Sequence, residues 1–191
     1  MTFKEIFEQV DKVEGWMGET DCKALYEYVK DLKGLIVEIG SYMGRSTKLL
    51  ALSSPESETI TIDPLEDTAF STHSKEVVKN NLLNSIQGLS VILIQKKSQN
   101  AGRGWSKPID FLHIDGDHLY EAVKTDIRLF VPHVKKGHYV FFHDYYTRGA
   151  KEEYQPNKHG VSKAVDELKD KYFDEVVLPN QRSGFAICRK K

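Results

Sequence analysis

Val37-Glu38-Ile39-Gly40-Ser41-Tyr42-Met43-Gly44 is the stretch that decides the fold. Leu35 to Ile39 is a short apolar run broken by one acid, Glu38, and predicts a buried strand. A glycine-bearing turn follows, and Ser46 to Leu52 reads as a helix. Gly40 and Gly44 let the backbone turn sharply and approach a ligand without a Cβ in the way. The turn, Ser41 included, delivers backbone amides at a helix start, where a carboxylate or other anion is favoured.

The same alternation continues outward. Thr59 to Ile62 is a second strand ending at Asp63-Pro64, residues 74–86 are helical, and Ser90 to Ile94 is a third strand. Ile109 to Ile114 ends at Asp115, Tyr120 to Phe130 is a helix, and Tyr139 to Phe142 ends at His143-Asp144. A helix from Val161 to Lys171 precedes two closing strands, Phe173 to Leu178 and Gly184 to Arg189. Upstream, Phe3, Ile6, Phe7 and Val10 have helical spacing, and Gly15-Trp16-Met17-Gly18 marks a loop. Thr20 is placed to cap a second helix that Gly34 ends. The division expected is a helical segment or lid over 1–33 and an α/β domain over 34–191.

Strands alternating with helices predict a parallel sheet covered on both faces, a doubly wound, Rossmann-like arrangement. Ligands of such sheets sit beyond the carboxyl ends of the strands. The polar residues follow that rule: Glu38 to Gly40, Asp63, Ser98, Asp115 and His143-Asp144 all fall at or just past strand ends.

Composition narrows the classes. The 191 residues suit one domain with a small appendage, and the net charge of −1 gives no basic surplus for nucleic acid. Cys22 and Cys188 form no metal-binding spacing and read as two reduced thiols of a cytoplasmic protein. No run is long enough to span a membrane, and Met1 to Glu5 is not a signal peptide. The sequence is compatible with a homo-oligomer and does not specify one.

The first constellation is a nucleoside site. Asp63 ends the second strand, where an acid accepts hydrogen bonds from both ribose hydroxyls. Dinucleotide binders share this layout, but their G-x-G-x-x-G needs a middle glycine to admit the pyrophosphate. Tyr42 stands in that place, and the spacing to Gly44 is wrong, which argues against an NAD-linked oxidoreductase. A nucleoside-binding module without catalysis remains as the other alternative.

Val37 to Gly44, extended through Arg45-Ser46-Thr47, resembles the first motif of class I S-adenosylmethionine-dependent methyltransferases. More narrowly it is similar to the small-molecule family that includes macrolide-sugar O-methyltransferases, and the likeness runs from about Gly15 to about Arg189. The resemblance implies a mostly parallel seven-stranded sheet with one antiparallel strand near the carboxyl end. It also implies that Glu38 and Gly40 line the methionine part of the cofactor, with Ser41 and Gly44 in the same turn and a hydrogen bond from Ser46. Asp63 would hold the ribose and Ser98 would lie by the adenine, although Lys96-Lys97-Ser98-Gln99-Asn100 departs from the family's commoner pattern there.

The second constellation is Asp115-Gly116-Asp117-His118 with His143-Asp144. Asp115 and Asp144 offer hard oxygen ligands suited to Mg²⁺, with Mn²⁺ as the second choice. His143 is either a third ligand or a bystander. His118, three residues after Asp115, is the candidate general base for a metal-bound substrate hydroxyl. Sugar and catechol O-methyltransferases carry a similar Asp, a basic residue three positions on, and an acidic or amide pair one strand later. The departure here is His143, where an acid is usual. By the same likeness Asp115 also belongs with the cofactor set. Asp117 is equally placed to cap the helix from Tyr120, and His113 alternates into the sheet as a core histidine.

The acceptor implied is a small hydroxylated molecule, a sugar or natural product. Tyr145-Tyr146-Thr147-Arg148 opens a polar segment reaching His159-Gly160 that suits recognition. Trp16 either stacks on a ring as part of a lid or packs inside its loop, and Trp105 is either a packing residue or a contact.

Overall fold

Strand β1, Leu35–Ile39, is buried along its whole length. That is why it reads as an apolar run rather than an alternation: both faces of a parallel strand are covered. The computed structural model describes residues 1–66, 75–83, 88–148, 154–156, 160–178 and 184–191. It contains a seven-stranded sheet in the order β3-β2-β1-β4-β5-β9-β8, where β2 is Glu58–Ile62, β3 Ser90–Ile94, β4 Ile109–Ile114, β5 Val134–Phe142, β8 Phe173–Val177 and β9 Ala186–Lys190. β1 pairs parallel with β2, β2 with β3, and β4 with β5. β9 runs antiparallel to both β5 and β8, so it is the reversed strand the resemblance implies. The chain divides into two units, Met1–Ser98 and Gln99–Lys191.

In the first unit, α1 (Phe3–Val10) is fixed at its start by a capping box between Thr2 and Glu5. α2 (Glu19–Val29) begins ahead of the expected Thr20 cap. Gly18 is its N-cap without a side-chain bond, and Glu19 and Asp21 supply negative charge to the first turn instead. Both helices pack on α3 (Arg45–Ser53), burying Ile6, Val10, Leu25, Val29, Leu49 and Leu50. α4 spans Lys75–Leu83, and the remainder of the predicted 74–86 helix lies outside the described residues.

A short helix that the sequence did not suggest, α5, spans Ser98–Gly102. Its last residue, Gly102, fits closely: an added Cβ would lie 2.9 Å from both Leu129 and Phe130. α6 (Tyr120–Phe130) and α7 (Val161–Tyr172) pack on each other. The aromatic core is Phe111, Phe130, Phe141, Phe142 and Phe185, all fully buried. His113 is also fully buried, edge-on to Phe141, as a core histidine should be.

β5 starts at Val134 rather than Tyr139, because its first half bulges. Gly137 takes φ 80°, and the bulge brings Lys135 Nζ to 2.7 Å from the buried Asp110 carboxylate. A Lys-Lys-Gly-His stretch reads as loop until a buried acid on the neighbouring strand gives it a partner. A second small sheet pairs β6 (Tyr146–Arg148) with β7 (Tyr154–Pro156), inside the segment expected to be loop. Residues 149–153 and 157–159 of that segment lie outside the described residues.

Candidate active site

The turn after β1 is held in shape by backbone and by one acid. Gly40 and Gly44 both sit at φ 88°, and Tyr42 between them at φ 45°, a region that costs a side-chain-bearing residue about 1–2 kcal/mol. Gly40 N–H donates to Ile62 O at 2.9 Å, and Gly44 N–H to Ser41 O at 2.7 Å. Asp63, one residue past β2, accepts from the Ser41 amide (2.9 Å) and the Tyr42 amide (3.2 Å) through Oδ2, and from the Leu65 amide (2.7 Å) through Oδ1. Two of these bonds fasten the turn to the second strand, so Asp63 shapes the loop as well as facing it.

Glu38 is fully buried. Its carboxylate accepts hydrogen bonds from Thr47 Oγ1 on α3 and from Thr61 Oγ1 (2.8 Å) on β2. A buried carboxylate is tolerable only when it is bonded in this way. The two threonines were missed from the sequence. The available signal was that Thr59 and Thr61 alternate on a buried strand, where a hydroxyl needs a partner. α3 starts at Gly44 with no side-chain cap, which leaves its first amides open to an anion. Ser46 is buried in that first turn, and Ser41 Oγ is buried with no hydrogen-bond partner among the described residues. An unpaired buried hydroxyl beside uncapped amides fits a polar ligand. Ser98 is half-buried at the start of α5.

In the second unit, β4 and β5 each end in the predicted acids. His143 N–H donates to Ile114 O at 3.1 Å, which ties the two strand ends together. Asp144 then takes φ 55°. Ligand atoms of Asp115, His118 and Asp144 lie within 4.8 Å of one another. His118 Nε2 is 3.2 Å from Asp144 Oδ2 and 3.6 Å from Asp115 Oδ1. His143 Nδ1 lies 3.3 Å from Asp115 and 3.2 Å from Asp144. Two imidazoles therefore flank the same pair of carboxylates. The three-residue group able to hold a metal contains His118, and His143, which the sequence leaves as either third ligand or bystander, lies against the same two carboxylates.

The electrostatics follow. Burial would raise the Asp115 carboxyl, but the neighbouring His143 and the hydrogen bonds from His118 and His143 overcome it and hold Asp115 far below the usual carboxylate range. The bond to Asp115 and the nearby Asp144 charge raise His118 against its own partial burial. Asp117 Oδ1 accepts from the Leu119 amide at 2.9 Å, closing the turn before α6, whose N-cap is Leu119.

Residues 37–145, more than half of the chain, match the family described as Methyltransferase domain. The chain belongs to that methyltransferase family. Its sheet has the Rossmann-like order of a class I S-adenosylmethionine methyltransferase domain. A protein of Acanthamoeba polyphaga mimivirus, described as uncharacterized protein R132, is 33% identical over 114 residues. That stretch covers 57% of this chain and 50% of the relative, so the methyltransferase spans about half the length of the curated relative it matches. Among solved structures, an O-methyltransferase from Bacillus cereus in complex with SAH superposes with a TM-score of 0.70 at 15% identity, covering 99% of this chain and 90% of that one. CalS11, a TDP-rhamnose 3'-O-methyltransferase of calicheamicin biosynthesis, gives 0.61 at 17%, covering 98% and 92%. MycE, bound to Mg, SAH and mycinamycin VI, gives 0.64 at 14%, covering 98% and 53%. At such identities the likeness shows the shared fold.

Trp16 is 72% exposed and stacks on Tyr42, with ring centroids 4.6 Å apart. Trp105 packs against Phe130 and donates Nε1–H to Lys107 O, a packing role. No helix among the described residues is long and apolar enough to cross a membrane.

Proposed function

We propose that this methyltransferase transfers the methyl group of S-adenosylmethionine to a hydroxyl of a small acceptor, a sugar or natural product, with His118 as general base. The observation that carries the reading is the convergence of Asp115, His118 and Asp144 at two strand ends. In the first unit, the uncapped start of α3 suits the cofactor's carboxylate, and the turn amides and Ser46 lie with it. Asp63 keeps lone-pair capacity for a ribose hydroxyl beyond the three amides it already accepts. Ser98 is the proposed neighbour of the adenine.

At the cluster, the two carboxylates are hard oxygen donors that fit a divalent cation, Mg²⁺ first and Mn²⁺ second. Asp115 and Asp144 would hold it. A bound cation supplies Lewis acidity that lowers the pKa of an acceptor hydroxyl. His143 donates its Nδ1 hydrogen to the carboxylate pair and orients it. His118 Nε2, placed beside both carboxylates, takes the hydroxyl proton. The acceptor oxygen then forms a bond to the methyl carbon as the sulfonium carbon–sulfur bond breaks, leaving S-adenosylhomocysteine. The Mg-bound MycE, similar in fold, supports the metal reading.

A second reading needs no metal: the carboxylates beside His118 orient the neutral imidazole and stabilise the imidazolium it becomes on taking the hydroxyl proton. Chelator treatment of enzyme supplied with an accepted substrate separates the two. Loss of turnover with S-adenosylhomocysteine binding retained supports the metal; full turnover removes it. Calorimetry with S-adenosylhomocysteine and, separately, NAD tests the cofactor itself. Binding of NAD without S-adenosylhomocysteine would overturn the methyl-transfer reading.

A further inference from the structure

Arg45 is the first residue of α3, where a cation opposes the helix dipole. Its side chain turns away from the ligand-facing amides and grips the connector between α1 and α2. Nη1 donates to Val13 O (2.9 Å) and Asp11 O (3.5 Å), and Nη2 pairs with Asp11 Oδ1 at 2.7 Å. The guanidinium also lies over the Phe7 ring, 5.9 Å from its centroid, and the side chain is only 12% exposed. Asp11 is the C-cap of α1, so the cation sits at that helix's negative end.

The rest of the connector meets the same turn. Gly15 is in contact with Arg45: an added Cβ would come within 2.9 Å of Arg45 Cδ and 3.2 Å of its Cβ. Glu14 Oε1 accepts from Tyr42 O–H at 2.9 Å, and Trp16 stacks on the Tyr42 ring. Val13 is buried with Met43, Leu65 and Val78. Asp11, Val13, Glu14, Gly15 and Trp16 thus each touch residues 42, 43 or 45. Tyr42, at φ 45°, meets this strap with both its ring and its hydroxyl.

We propose that Arg45 is a positioning residue: it latches the connector Asp11–Met17 onto the glycine turn, so that turn and connector order together and cofactor affinity depends on the latch. Arg45 itself does not touch the ligand. The inference rests on the reading of this turn as the S-adenosylmethionine site. Two ordering events that share contacts are thermodynamically coupled, so cofactor binding tightens the connector and loosening the connector weakens the cofactor.

The test is calorimetry of the full chain with S-adenosylhomocysteine for wild type, Arg45→Met, Trp16→Ala and the double variant. Each single change is expected to weaken binding about tenfold, the loss of a charged hydrogen-bond set or its stacked partner. The double variant should fall short of the product of the two by about fivefold or more. Arg45→Lys should restore part of the affinity, and hydrogen exchange at residues 11–17 should slow on adding S-adenosylhomocysteine to wild type but not to Arg45→Met. If Arg45→Met fails to fold, Asp11→Asn weakens the same latch from the exposed side. A wild type that binds no S-adenosylhomocysteine would sink the cofactor reading and this proposal with it. A wild type that binds, with single variants equal to it or with losses that simply multiply, would overturn the latch alone.

Discussion

In the first unit the chemistry proposed to meet the cofactor is backbone. Gly40, Tyr42 and Gly44 hold left-handed angles, amides open the start of α3, and Asp63 keeps the loop in shape. In the second unit it is side chains: Asp115, Asp144, His118 and His143 crowd together, and their neighbours hold Asp115 low and raise His118. Backbone geometry binds a constant molecule by shape and partial charge, and it tolerates many side chains outside a few glycines. A cluster of ionisable groups does proton chemistry, and each member depends on the others. Substitutions in the first region should therefore change cofactor affinity, and those in the second should change turnover.

The sharpest break would come at Asp144. Asp144→Ala removes a carboxylate that both imidazoles share, and turnover should fall on the order of a hundred- to a thousandfold while calorimetric affinity for S-adenosylhomocysteine stays unchanged. Equal loss in both quantities would erase the distinction between the regions. His118→Ala should cost turnover about a hundredfold, again with affinity intact, and an unchanged rate would move the base elsewhere. In the opposite direction, Gly44→Ala forces a Cβ into φ 88°. It should weaken S-adenosylhomocysteine about tenfold, from a strain of about 1–2 kcal/mol, with the rate at saturating cofactor nearly kept.

The smallest effect concerns stability. Burial raises Tyr145, with its hydrogen bond to Asp166 adding to the shift, and burial raises the Cys188 thiol. Both folded values lie above their ordinary ones of 10.0 and 9.0, so the folded state keeps protons that the unfolded chain releases. Their contribution is complete below about pH 9 and declines as pH rises beyond it. The urea midpoint should fall from pH 9 to pH 11, and Cys188→Ala should flatten part of that slope. A midpoint constant across this range would mean that neither group stays protonated in the fold.

What the sequence made legible follows the same divide. The strand ends could be found because parallel strands are apolar runs, and Asp63, Asp115 and His143-Asp144 sit one or two residues beyond them. The Val37 to Gly44 turn was legible because only glycine chemistry explains its spacing. What stayed hidden depends on partners distant in the chain. The hydroxyl partners of Glu38, Thr47 and Thr61, come from two other elements and cannot be read from its own strand. The bulge in β5 is invisible without Asp110 on the neighbouring strand. His118 and His143 differ in their distances to two carboxylates, which residue spacing does not encode. α5 and the β6–β7 pair are too short to carry a period.

The sequence contains only two tryptophans, and the fold gives one to each unit in contrasting settings. Trp16 faces solvent with one side against a tyrosine, and Trp105 rests on Phe130 with its indole hydrogen held by a carbonyl. The protein therefore carries two native optical reporters of different colour and quencher access. Emission near the red edge should follow the connector, and emission near the blue edge should follow the second unit, without any introduced dye.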